Sequence, residues 1–296
     1  QWYEGNKGDV SRPVTDAMRA SLTAPMLTAT TPFWVRVSNA LGAADSDTAW
    51  VEVGSPPPAS TYLFVCNNDG SHLVKRFDAV TGASIDNFTE GGGLEFPAGV
   101  KFGPDGNLYV SSQGTGQVLR YDGVTGEFID VVASGNGLSK PAGLAFGPDR
   151  NLYVSDAAGA IRKFHGTSGA FISSFPVAGV GNGIAFGPDG NLYAVLAGAN
   201  QVIRLNRTTG ASLGVFAAGQ FPLGVTFGPD GNLYVTQNKN PSPSDVLRLN
   251  GATGASLGAF TSGGNLIAPF DLTFGPHGDL YVGSAVKDNV QRFDGT

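Results

Sequence analysis

The sequence is short of the residues that usually carry chemistry. It holds 1 cysteine, Cys66, which allows neither an internal disulfide nor a cysteine-based zinc site. Its 3 histidines, His72, His165 and His277, are too far apart for a metal-ligand spacing. No apolar run reaches the roughly 18 residues that a membrane-spanning helix needs. Charge is also scarce: 18 Lys and Arg stand against 24 Asp and Glu, a net of −6 with no basic tail. A phosphate-backbone binder needs a concentrated positive surface, so no nucleic-acid partner is expected. Nucleophile motifs and phosphate-cradling glycine loops are missing as well. The chain opens on Gln1 with no signal-peptide pattern, and an N-terminal portion is expected to lie outside it.

Glycine is what the sequence has in quantity, 44 residues with no G-X-Y period, so a collagen-like helix is excluded. The glycines separate short β-branched and aromatic runs, the pattern of an all-β chain with many tight turns. One nonapeptide dominates. "FGPDGNLYV" at 102–110 returns as "FGPDRNLYV", "FGPDGNLYA", "FGPDGNLYV" and "FGPHGDLYV". Its phenylalanines, Phe102, Phe146, Phe186, Phe227 and Phe274, are 44, 40, 41 and 47 residues apart. A period of about 40–50 residues holding four short strands is expected of a β-propeller with one blade per repeat.

Each repeat divides in the same way. "AGVKF" (98–102) is an inner strand, and "GPDG" a tight turn in which proline presets φ and glycine takes the left-handed exit. "NLYVS" is a second strand with Leu108 and Val110 on one face and Tyr109 on the other, as blades packed face to face require. "QVLRYD" (117–122) is the third strand, and "EFIDVV" the outer strand beyond a "GVTG" turn. Arg150 replaces the turn glycine in one copy and is expected to be strained or to change the turn. "TYLFVCN" (61–67) is a divergent sixth copy of the second strand. Six repeats are thus visible, with closing strands missing: the first blade lacks an inner strand and the last an outer one. An open seam, closed by a strand from beyond Thr296, is expected.

Residues 1–53 read differently. "TPFWVRVSNALGAADSDTAWVEV" (31–53) is two alternating strands joined by a polar turn, and "GSPPPAS" (54–60) a stiff proline-rich linker. The first segment resembles the C-terminal half of a bacterial immunoglobulin-like domain. The resemblance sets Trp2 at the core tryptophan, Phe33 at the corner tyrosine and Val35 at the second cysteine. The repeat of residues 61–296, "PAGLAFGPDRNLYVSD…IRKF", resembles the NHL-type propellers, named for an Asn-His-Leu triplet before the third strand. Ser71-His72-Leu73 stands at that place in the first blade, with Gln117-Val118 and Asn289-Val290 in others. The fold class expected is therefore an all-β propeller of four-stranded blades preceded by a partial immunoglobulin-like β-sandwich.

That scaffold serves interaction platforms, lyases and lactonases alike. Streptogramin lyases and peptide-amidating lyases, which the repeat also resembles, carry histidine before the inner-strand glycine. Here those positions are Ala98, Ala142, Asn182, Leu223 and Phe270, and Asp271 replaces the glycine itself in the last blade. No catalytic residue, metal site or cofactor is therefore expected. One cation recurs on each third strand, Arg76, Arg120, Lys163, Arg204, Arg248 and Arg292. Long stems over apolar surface with heads beside carboxylates account for them without a ligand. "CNNDGSH" (66–72) lacks the spaced acids of a calcium loop and reads as an Asx-rich turn.

The expected function is non-catalytic binding of a protein or glycan by a secreted or cell-surface bacterial protein, with the periplasm as the other compartment. A lyase or lactonase with a channel metal is the alternative, and a structural or adhesive repeat a third. Short, near-invariant turns on one face leave little room for specificity, so the ligand is expected on the opposite loop face. There "QNKNPSPSD" (237–245) is the longest loop, and Phe221, Asn238, Lys239 and Phe270 are the expected ligand-binding residues.

Overall fold

The computed structural model describes all residues except 5, 15–30, 40–41, 47–48, 52–61, 69, 240–242, 262–265, 276 and 296. The chain divides into two compact units, Gln1–Ser60 and Thr61–Thr296. In the first, β1 (Trp2–Glu4) and β4 (Ala49–Val51) pair with β2 (Thr31–Asn39), which also pairs with β3 (Gly42–Asp45). The two alternating runs read from the sequence are thus three strands, because the second run breaks between Asp45 and Ala49 and pairs with β2 in two pieces. Trp2 lies opposite Val35. Among the described residues of this unit, however, the buried aromatics are Phe33 and Trp34, with Tyr3 stacked on Trp34 at 4.8 Å. The Trp34 indole N–H donates to the Asp9 carbonyl at 3.2 Å, which lets a polar ring atom be buried without loss.

The second unit is a ring of six antiparallel blades. Blade I holds β5 (Tyr62–Asn67), β6 (Leu73–Asp78) and β7 (Ser84–Asn87). Blade II holds β8 (Pro97–Phe102), β9 (Leu108–Ser112), β10 (Gln117–Tyr121) and β11 (Phe128–Ala133). Blade III holds β12 (Pro141–Phe146), β13 (Leu152–Asp156), β14 (Ala160–Phe164) and β15 (Phe171–Pro176). Blade IV holds β16 (Ile184–Phe186), β17 (Leu192–Leu196), β18 (Gln201–Leu205) and β19 (Ser212–Ala218). Blade V holds β20 (Val225–Phe227), β21 (Leu233–Gln237), β22 (Asp245–Leu249) and β23 (Ser256–Ala259). Blade VI holds β24 (Pro269–Phe274), β25 (Leu280–Ser284) and β26 (Asn289–Phe293). Strands pair in chain order within each blade, and the first strands of blades II to VI lie against one another around the axis.

The nonapeptide explains the ring. Its leucine and following aliphatic residue face the preceding blade, and its tyrosine faces the next: Leu108 and Val110 pack with Val74 and Phe88, while Tyr109 packs with Leu144, Leu152 and Val154. The phenylalanine of the next copy meets that tyrosine edge-to-face, Tyr109 with Phe146, Tyr153 with Phe186 and Tyr193 with Phe227 all at 4.9 Å, and Tyr234 with Phe274 at 4.8 Å. Each such pair contributes about 1 kcal/mol beyond its buried area. The turn aspartate then ties the hairpin together. Asp149 accepts the Tyr153 hydroxyl at 2.9 Å and the Asn151 N–H at 3.2 Å, and meets Lys163 at 2.8 Å. Burial works against that carboxylate, but hydrogen bonds from Lys163, Asn151 and Tyr153 outweigh it and hold the pKa at about 2.

All six third-strand cations meet carboxylates: Arg76 with Asp86, Arg120 with Asp130, Lys163 with Asp149, Arg204 with Asp189, Arg248 with Asp230 and Arg292 with Asp279. Arg150 keeps the glycine turn at φ +60°, with the same turn bond to Gly147 (2.8 Å) that Gly106 makes to Gly103 (3.0 Å). The strain is therefore borne and the turn unchanged. His165 accepts the Ser168 N–H at 3.2 Å, the role Asp122 plays for Thr125.

The ring closes at the turn face. Tyr109 donates to the Gly166 carbonyl of the next blade at 2.9 Å and Tyr153 to Arg207 at 3.2 Å. Tyr281 of blade VI donates in the same way to Ala79 of blade I at 2.8 Å, and Arg292 to Val80 at 3.2 Å. The open seam expected from the sequence is thus confined to strand edges. Among the described residues, no strand pairs with the inner edge of β5 or the outer edge of β26.

Candidate functional site

On the loop face, in blades II, III and V, the residue that ends the second strand braces a loop. Ser112 accepts the Glu95 N–H at 2.9 Å and donates back to its carbonyl at 3.0 Å. Asp156, fully buried, accepts from Ser139 and Lys140 at 3.1 Å each, and Arg162 reaches it at 3.1 Å. Gln237 accepts the Gln220 N–H at 3.0 Å and donates to Asp245 at 2.9 Å. In each case a polar end group fixes the loop that leads into the inner strand. The chemistry differs from blade to blade while the position does not.

Two of these loops carry an exposed phenylalanine directly before the proline that opens the inner strand or its approach: Phe96 (52% exposed, φ +48°) and Phe221 (51% exposed, φ +45°). A bulky residue with left-handed backbone costs about 1–3 kcal/mol, so the surroundings must hold it there. The Phe96 N–H donates to His72 Nδ1 at 3.4 Å, and the two rings lie 4.5 Å apart. The Phe221 N–H donates to Asn200 Oδ1 at 2.8 Å, and its carbonyl accepts from Asn238 Nδ2 at 3.2 Å.

Three of the four residues expected to bind ligand come together through Asn238. Its amide donates to both Phe221 O and Pro269 O (3.1 Å), tying blade V to the start of β24, where Phe270 is half-buried. Lys239 stands beside them, but its ammonium is engaged by Asp245 at 2.5 Å and its N–H by Ser244 at 3.2 Å. The tip of that loop, residues 240–242, lies outside the described residues. Phe96 escaped the sequence reading, although "EFPAG" and "QFPLG" share the Phe-Pro signal.

On the inner strand of blade VI, Asp271 accepts, among the described residues, the N–H of its neighbour Leu272 at 2.9 Å. The residue is exposed, but the protein packed around its carboxyl costs it hydration, and that loss pushes its pKa up. Cys66, half-buried, is pushed up to about 12, first by burial and then by the Asp271 charge. No group of three or more His, Cys, Asp or Glu side chains suited to a metal ion occurs among the described residues.

No family profile matches the chain, and no curated protein matches it in sequence. Solved structures do match in fold. A putative gluconolactonase (19% identity, TM-score 0.64) covers 80% of this chain and 88% of its own. Streptogramin B lyase (16%, TM-score 0.59) covers 89% of both. A chain of the nidogen/laminin complex (16%, TM-score 0.65) covers 79% of this chain and 89% of its own. At these identities the likeness establishes the class, an all-β propeller, and nothing finer.

Proposed function

We propose that this chain is a non-catalytic binding protein whose propeller takes a protein or glycan ligand on its loop face. The observation that carries the reading is Phe221, half-exposed and held in left-handed backbone by Asn200 and Asn238. Strain maintained by dedicated side chains at an exposed aromatic fits a preorganised anchor, which loses little freedom when a ligand arrives. Phe270, Asn238 and Lys239 complete the contact surface. In this reading residues 61–296 are an NHL-type propeller, 54–60 a linker and 1–53 the C-terminal half of an immunoglobulin-like module, an arrangement suited to a secreted or cell-surface bacterial protein. The lactonase and lyase among the similar folds keep an enzymatic alternative in view. Against it stands the inner ring, where Ala98, Ala142, Asn182, Leu223 and Phe270 hold no histidine and Asp271 is the one acid among them.

Glycan and protein arrays probed with the wild-type chain and with Phe221→Ala and Asn238→Ala test this. A ligand retained by the wild type and lost at least tenfold in both variants is expected. Retention by both variants, with loss on substitution in the "GPDG" turns of a still-folded chain, overturns it. Silence on every array favours the adhesive or structural reading.

A further inference from the structure

The third-strand arginines are not all held in the same way. In blade II, Arg120 grips Asp130 of the outer strand with its whole fork, Nε to Oδ1 at 3.0 Å and Nη2 to Oδ2 at 2.5 Å. It also stands 3.7 Å from the turn aspartate, Asp105. Blade I repeats the grip between Arg76 and Asp86. Both acids directly follow an exposed isoleucine, Ile129 or Ile85, at which the outer strand bulges.

Blade IV keeps the arginine and the bulge but lacks the acid. Arg204 lies opposite the bulged pair Leu213 and Gly214, and Gly214, at φ +105°, holds the place of Asp130. A Cβ there would meet no atom within 4 Å beyond its chain neighbours, so the space of the missing carboxylate is open. Arg204 keeps Arg120's distance from the turn aspartate, with Asp189 at 3.6 Å, which is longer than a hydrogen bond. A groove of about 180 Å³ opens beside it, lined by Leu213, Gly214 and Val215 of β19 and by Ala252 and Thr253 of the next blade's turn. Blade V makes the same exchange, with Gly258 opposite Arg248. There the arginine lies against Asp230 at 2.5 Å, and its buried Nε finds no hydrogen-bond partner among the described residues.

We propose that the groove between blades IV and V is a seat for one glutamate side chain of a partner polypeptide. Its carboxylate takes the fork of Arg204 as Asp130 takes that of Arg120. A guanidinium presents paired N–H donors that match a carboxylate, and such charge-assisted pairs are stronger than neutral ones. Asp189 does not forbid a second acid, because Asp105 stands equally far from Arg120 with Asp130 in place. Glutamate fits better than aspartate, since the partner's main chain must lie outside β19, farther from the guanidinium than the strand that carries Asp130. Exposed Leu213 and Val215 offer apolar contact to residues beside the acid, which favours a peptide over a free carboxylate. The seat lies at the rim beside the turns, apart from Phe221 and the loop face.

The probe is a Leu-Glu-Leu tripeptide, blocked by a fluorescent acyl group and a C-terminal amide, titrated with the intact chain at low salt and followed by anisotropy. It should bind roughly tenfold more tightly than its Leu-Gln-Leu counterpart, and added salt should narrow that gap. Arg204→Gln should erase the difference. Gly214→Asp, which supplies the acid that blade II carries, should erase it as well, so poor folding of one variant leaves the other to decide. Arg120→Gln, whose fork Asp130 already fills, should leave the difference unchanged. Equal affinity for the two peptides, or a difference that persists in Arg204→Gln, would overturn the assignment. Displacement of the probe by free 4-methylpentanoate as effectively as by unlabelled peptide would overturn the choice of a polypeptide partner.

Discussion

The two faces of the propeller are written in different ways. On the turn face the same residues recur in blade after blade: a glycine turn in left-handed backbone, an aspartate beneath it in blades II to V, and a second-strand tyrosine that in blades II, III and VI bonds the next blade. On the loop face the same position is filled by serine, aspartate, leucine or glutamine, and the backbone strain falls on phenylalanine. The turn face repeats because every blade must lock to its neighbour by one geometry. On the loop face the end groups brace loops within a blade, and the bonds that do cross between blades, such as those of Asn200 and Asn238, are made by different residues at each boundary. Variation there costs little stability, which leaves the sequence free to specify a ligand.

The largest effect expected is at the axis, where neither face can adapt. Gly143→Ala forces a Cβ into the Asn182 carbonyl at 1.7 Å, backbone against backbone. A loss of about 3 kcal/mol or more in urea unfolding is expected, or failure to fold. A mild effect would mean that adjacent inner strands can slide past one another.

Next comes the aspartate of the turn face. Asp149 has a pKa of about 2 against an ordinary 3.8, so its contribution is fully present above pH 4 and is lost as pH falls through about 2. That contribution is about 2 kcal/mol at neutral pH. Asp149→Asn should therefore destabilise the chain by a similar amount at pH 7 and flatten the acid limb of its stability curve, while leaving ligand binding on the loop face intact. Equal destabilisation at pH 2 and pH 7 would show that shape matters there and charge does not.

Much of the turn face could be read from the sequence because its chemistry is local. Proline, aspartate and glycine within four residues declare the turn, and alternation in "NLYVS" declares both packed faces. Even the third-strand cations, five arginines and Lys163, follow from one charge at one strand position. What could not be read depends on residues far apart in sequence. Asn238 reaches Phe221 and Pro269, and Asn200 reaches Phe221, across blade boundaries. Positive φ at Phe96 and Phe221 was hidden as well, since propensity argues against it and only the surrounding side chains impose it. Closure through Tyr281 and Ala79 joins residues some 200 positions apart. In the first unit, the burial of Trp34 in place of Trp2 is set by pairing register, which alternation alone leaves ambiguous.

The smallest expected effect separates the two faces most sharply, because it asks what the same strain is for. Arg150 on the turn face and Phe221 on the loop face both hold left-handed backbone, at φ +60° and +45°. Arg150→Gly and Phe221→Asn substitute residues that tolerate this conformation, and each should raise stability by up to about 1 kcal/mol in urea unfolding. On the turn face the gain should carry no penalty, since Arg150 supplies only the backbone of a turn that the other copies close with glycine. On the loop face the backbone relaxes while the exposed ring is lost, so Phe221→Asn should be more stable yet bind its ligand at least tenfold more weakly. Measuring stability and binding on the same preparations distinguishes this from general loosening, which would lower both. If Phe221→Asn gained stability and kept its ligand, the strain at that position would be an accident of the Phe-Pro sequence, and the two faces would differ in pattern without differing in purpose.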